Sequence, residues 1–137
     1  MKEEYIKYAK RLDTIGDLII SISNLIKTPE EVKILSLEDI RVNKNDLNET
    51  IRRFEYAKES LKEVKVPFIV QSQHKKMVQR FEEYIESIRI LNNSVNISAN
   101  NEIQIYESEY NKGLELQKKS VEELEKLTQL IGDKLLK

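Results

Sequence analysis

His74 is the only histidine in a chain with no cysteine and no tryptophan. It belongs to the run Val70, His74, Met77, Phe81, Tyr84, Ile88, Leu91, Val95, whose alternating steps of four and three trace one face of a helix. A core seam calls for large apolar side chains, and a neutral imidazole placed there needs a hydrogen-bond partner. The chemistry open to it is limited by its neighbours. A di-iron bundle needs Glu-x-x-His on inward faces, and Gln71 stands three residues before His74. With one histidine and no cysteine, zinc would have to rely on carboxylates, which is rare. We therefore expect no metal and no cofactor. There is no Gly-rich phosphate loop, no Gly-x-Ser-x-Gly elbow and no Cys/His pairing. The paired acids Glu82-Glu83 and Glu122-Glu123 read as solvated helix faces. No residue is expected to be catalytic, and the chain does not read as an enzyme.

Tyrosines supply the remaining candidates. In an up-down bundle the start of the third long helix lies beside the start of the first, so His74, Tyr5 and Tyr8 form a candidate polar or ligand layer. The plainer reading is a satisfied core histidine that fixes helix register. Tyr106 and Tyr110, one turn apart near the opposite end, are a candidate interface, because tyrosine is favoured where proteins meet. Three Asn-x-Ser/Thr triplets, beginning at Asn48, Asn92 and Asn96, match glycosylation acceptors but are expected by chance in an Asn-rich chain.

Four seams must position these residues. Tyr5, Tyr8, Leu12, Ile15, Ile19, Ile22 and Ile26 give the first helix one continuous apolar face. Gly16 inside it costs about 1 kcal/mol against alanine and suggests a close neighbour. Thr28-Pro29-Glu30-Glu31 joins a cap residue, proline at the first helical position and a capping-box glutamate, predicting a short helical turn through Leu35. Ser36 caps the second long helix, which carries Ile40, Leu47, Ile51, Phe54, Leu61 and Val64, with Asn43 and Lys44 weakening its first half. A start at Asp46 is the alternative; the longer version matches its neighbours in length. Lys65-Val66-Pro67 ends that helix, and Pro67 serves as the first residue of the third. Asparagines from Asn92 to Asn101 mark the end of the third helix, with the connection between Ser98 and Asn101. The last helix runs from Glu102 to Leu136, with Gly113 and Gln117 as weak points on its face. No convincing alternating strand or Asn-Gly hairpin turn is present. The expected fold is all-α: a single domain, 1–137, forming an antiparallel up-down four-helix bundle with a short extra helical turn between helices 1 and 2.

Composition agrees with that architecture and narrows the partners. Of 137 residues, 34% are charged and 39% hydrophobic, as in a globular domain able to bury its own core. Lys+Arg 23 against Asp+Glu 24 leaves a net charge of −1 without large blocks, which argues against nucleic acid as the main partner. No apolar run reaches membrane-spanning length, and no signal-peptide core follows Met1. Apolar residues outside the seams, among them Ile20, Ile90, Ile97 and Ile105, leave monomer and homodimer both open.

The stretch Val64-Lys65-Val66-Pro67-Phe68-Ile69-Val70-Gln71-Ser72-Gln73-His74-Lys75-Lys76-Met77-Val78 resembles the small helical domains of Bacillus-type surface lipoproteins. In that group a helix ends in a Val-Pro or Lys-Pro step, histidine follows seven residues after the proline, and a tyrosine falls about ten residues further on, here Tyr84. Lys2-Glu3-Glu4-Tyr5-Ile6 is similar to the segment that follows the lipid-anchored cysteine, and the stretch from Asn101 with Tyr110 and Gly113 is similar to the last helix. The resemblance implies an extracytoplasmic bundle at the surface of a Gram-positive cell, held to the membrane only through a lipid anchor upstream of Met1. It implies no assigned activity. The expectation is a non-enzymatic cell-envelope binding or interaction module for a protein or small ligand. The alternative is a cytoplasmic phage-type or regulatory bundle that binds a partner protein.

Overall fold

The computed structural model describes residues 2–137. The chain is mostly helical, with five helices and two short strands: α1 (Glu3–Ser21), α2 (Pro29–Lys33), α3 (Leu37–Glu63), α4 (Gln71–Asn93), β1 (Val95–Ile97), β2 (Ile103–Ile105) and α5 (Glu107–Leu135). Single 3-10 turns at Ser23–Leu25 and Phe68–Val70 lead out of α1 and into α4.

Local chemistry accounts for several boundaries. Thr28 closes a reciprocal capping box with Glu31: the Glu31 amide donates to Thr28 Oγ1 at 3.2 Å and the Thr28 amide to Glu31 Oε1 at 2.9 Å. Ser36 Oγ accepts from the Asp39 amide at 3.1 Å and starts α3 at the earlier of the two predicted positions. At the other end Val64 turns extended, three residues before Pro67. The first helix stops sooner than its seam suggests. Ser21 Oγ donates back to the Leu18 carbonyl at 2.7 Å, a competing bond that favours a helix end. Pro67 is extended, at ψ 135, and stands ahead of the 3-10 turn, so it does not open the third helix as expected.

The expectation that no strand exists is overturned. Val95, Asn96 and Ile97 pair antiparallel with Ile105, Gln104 and Ile103. Each strand does alternate apolar-polar-apolar, but three residues are too few to distinguish that pattern from a helix end. The turn is made by Asn101 at φ 62, a left-handed conformation asparagine tolerates better than most residues. Ser98 stabilises the turn by accepting from the Glu102 amide at 3.0 Å, and Arg41 of α3 donates to Asn101 Oδ1 at 2.7 Å. The hairpin consumes the predicted first turn of the last helix, which begins at Glu107.

The core centres on α4. Every member of its predicted seam from Val70 to Val95 is buried. Phe54 of α3 meets Phe81 and Tyr84 of α4 with ring centroids 5.6 and 5.5 Å apart. The contact of α4 with α5 is the most extensive in the molecule, followed by α3 with α4, whereas α1 touches α3 and α5 at few points. Small side chains explain the first of these. Ser87 of α4 and Gly113 and Ser120 of α5 are all buried, and a Cβ on Gly113 would come within 2.9 Å of Leu91. The close helix approach expected at Gly16 is therefore found at Gly113, and Gly16 faces open space.

Candidate functional site

His74 is 8% exposed and both ring nitrogens are engaged by protein atoms. Nε2 lies 3.0 Å from the Leu61 carbonyl, which can only accept, so Nε2 carries the proton. Nδ1 is then the acceptor for the Tyr8 hydroxyl, at 2.6 Å. Leu61 is in the last turn of α3, where carbonyls lack helical partners. One imidazole thus joins α1, α3 and α4 and fixes its own tautomer in doing so. Burial lowers the His74 pKa below its ordinary 6.5, a shift opposed by the Leu61 bond. Tyr8, fully buried, has its hydroxyl pKa raised by the same desolvation.

Of the predicted layer, Tyr8 and His74 come together and Tyr5 does not join them. Tyr5 is half-buried beside Leu135 and Leu136 at the end of α5, with the Lys2 ammonium 5.5 Å from its ring centre. One turn of helix separates it from Tyr8, enough to carry its ring to the mouth of the layer. The other pair also divides. Tyr110 is buried and donates to the Lys27 carbonyl at 2.7 Å, and burial pushes its pKa up to about 12. Tyr106 precedes α5 and is 44% exposed.

A second polar centre escaped the sequence reading. The Lys44 ammonium, half-buried, donates to the carbonyls of Asn92 and Val95, each at 2.5 Å, and to Asn92 Oδ1 at 3.2 Å. Asn92 Nδ2 donates in turn to Asn48 Oδ1 at 2.8 Å. These oxygens lie where α4 ends, so a cation there offsets the negative end of the helix dipole. Burial holds the Lys44 pKa below the usual lysine value. Lys44 and Asn43, which looked like weak points, are the residues that tie α3 to its surroundings: Asn43 Nδ2 donates to the Leu25 carbonyl at 3.2 Å. Their signal is a long-range pairing that spacing along one helix does not contain.

One hollow, of about 540 Å³, lies beside Tyr5 among Lys2, Leu135, Leu136 and Lys137; the apolar grooves lie on the two sides of α1. Between α1 and α3 runs a groove of about 450 Å³ with Ile15, Leu18, Ala57 and Leu61 in its floor and Arg11, Arg52, Arg53 and Tyr56 along its edges. Between α1 and α5 a second groove, of about 510 Å³, is lined by Leu12, Ile19, Ile20, Leu124 and Leu135 and by Gly16 and Gly132. Among the described residues, no three His, Cys, Asp or Glu side chains converge as metal ligands, and no helix is long and apolar enough to cross a membrane. The hydroxyl of Tyr84 is buried without a hydrogen-bond partner among the described residues. Comparison of the chain with protein-family models, curated proteins and solved structures gives no match.

Proposed function

We propose that the chain is a non-enzymatic binding module of the cell envelope, folded as an antiparallel up-down four-helix bundle and presenting apolar grooves on either side of its first helix. The observation that carries this reading is the contrast between its interior and its openings. The strongest polar groups, His74 and Lys44, are directed at protein atoms, whereas both grooves are apolar and open to solvent. Catalysis needs convergent polar groups around a reacting atom; recognition needs accessible apolar surface with few polar anchors. The bundle topology has support in which ends meet. His74, at the start of α4, touches Tyr8 at the start of α1 and Leu61 at the end of α3. Tyr5, at the start of α1, lies beside Leu135 at the end of α5.

The binding reading is tested with Nile red, a neutral apolar dye, followed through methyl signals of the folded protein. Saturable shifts at Ile15 and Leu18, or at Ile19 and Ile20, are expected. A dye that perturbs none of these methyls removes the grooves as binding surfaces. The envelope assignment rests on the lipoprotein resemblance and has its own test. A hydrophobic stretch ending in a small residue and cysteine upstream of the Met1 codon supports it; a native start at Met1 favours the intracellular partner-binding alternative.

A further inference from the structure

We infer that the groove between α1 and α3 receives an acidic amphipathic helix from a partner protein. This rests on the binding-module reading above and names its partner class. Thr14 on α1 and Ala57 and Ser60 on α3 are too small to fill the space where the two helices cross, so an apolar trough remains over Ile15, Leu18 and Leu61. From Arg52 to Leu61 the trough follows α3 for nine residues, about 13 Å at the helical rise. That length matches two turns of a docked helix, with anchors at positions i, i+3 or i+4, and i+7. The trough is open along one side, so it would leave much of a small molecule in water, whereas a helix buries only one face.

The edge selects for charge. Arg11 donates to Ser60 Oγ at 2.7 Å, and neither Arg11 nor Arg53 meets a carboxylate within ion-pair distance among the described residues. Arg52 alone of the three is paired, with Glu49. Unpaired guanidiniums over an apolar floor fit a partner whose apolar stripe is flanked by carboxylates, which they can hold with two parallel bonds. Tyr56, 81% exposed on the lip, adds an aromatic surface of the type that dominates binding energy at interfaces. Glu59 and Glu63 line the adjoining hollow together with Arg11, Tyr56 and Ser60, so the partner's acids belong toward the Arg52-Arg53 end.

Two labelled synthetic helices of about 14 residues test this, one with leucines at 3-4 spacing flanked by glutamates and a twin with lysines in place of the glutamates; the length covers the two-turn footprint and adds about a turn at each end, since shorter isolated helices are marginal. Binding is read by fluorescence anisotropy and by the methyl signals of Ile15 and Leu18. The glutamate helix is expected to bind at least about tenfold tighter than its twin, with the difference shrinking as salt rises. The double variant Arg11→Glu/Arg53→Glu, which changes exposed side chains only, should reverse the preference. Thr14→Trp, at an exposed position on the α1 side of the trough, should block both helices while circular dichroism stays unchanged. Equal binding of the twins, an unchanged preference in the double variant, or complete displacement of the helix by palmitate would overturn the inference, the last by assigning the groove to a fatty acid. If Nile red shifts the groove methyls and the glutamate helix does not, the acidic-helix inference falls and the binding-module reading stands; if neither does, both fall.

Discussion

At the scale of single residues, the Tyr8–His74–Leu61 chain sets both stability and its pH dependence. Replacing His74 with leucine removes two hydrogen bonds and leaves the Tyr8 hydroxyl and the Leu61 carbonyl buried and unpaired, at a cost of about 2 kcal/mol. Tyr8→Phe breaks only one of those bonds. The double variant should cost less than the two single changes added together, because each already removes the shared bond. Chemical denaturation of the four proteins measures this, and a His74→Leu protein more stable than the parent would refute the linking role. The pH dependence follows from the lowered His74 pKa. A base with a depressed folded pKa stays neutral in the native state while the unfolded chain takes up a proton. Stability is therefore full above the ordinary 6.5 and declines as pH falls from there toward the folded value. Glutamine at position 74 can accept and donate in the same directions without titrating. From pH 7.5 to 5.0, the melting temperature of the parent should accordingly drop more than that of His74→Gln.

At the scale of elements, the three glycines separate by surroundings. A Cβ on Gly16 or Gly132 meets nothing within 4 Å, so alanine there should stabilise α1 or α5 by about 0.5–1 kcal/mol through helix propensity. On Gly113 it would press into Leu91, whose Cγ lies 3.2 Å from the new atom in a closed core, so Gly113→Ala should lose about 1 kcal/mol net. Thermal melts of the three variants check the opposite signs. Lys44→Met should fray the junction of α4 with the hairpin. It leaves the Asn92 and Val95 carbonyls without their donor, at about 1–3 kcal/mol, and hydrogen exchange should quicken from Ser94 to Tyr106 more than elsewhere. These cases show which features were legible. Caps are local, so Thr28 and Ser36 could be read directly, as could the α4 seam and the meeting of His74 with Tyr8. Gly16 and Gly113 look alike along the chain, since only the facing helix decides which one is close-packed. Three-residue strands carry too little periodicity to outweigh their helical flanks. The Lys44–Asn92 bond spans 48 positions and leaves no spacing to find. The groove residues were visible as types, with Arg52, Arg53 and Tyr56 close together, but their unpartnered state depends on how loosely α1 packs.

At the scale of the whole molecule, that looseness orders the stability of its parts. Helix α4 contributes nine buried residues, Tyr84 and Phe81 among them, whereas α1 contributes Tyr8, Leu12 and Ile15. At about 1.5–3 kcal/mol for each large apolar side chain fully buried, α1 is held by much less than the α3–α4–α5 assembly. Grooves on both of its sides mean that little apolar contact is lost when it lifts. Its firmest polar attachment to the core is the Tyr8 hydroxyl on His74, close to the start of the chain. Native-state hydrogen exchange should therefore find α1 opening at a lower free energy than α4 and α5, as a unit of its own. Tyr8→Phe should accelerate exchange throughout α1 while leaving the amides of α4 near Ile88 unchanged. Protection of α1 equal to that of α4, or a Tyr8→Phe effect spread evenly over all helices, would mean that the first helix is as integral as the rest. A low opening energy would bear directly on recognition: a partner helix bound between α1 and α3 adds apolar contact to the least secured element. Occupancy of that groove should then slow α1 exchange toward the rate of the core.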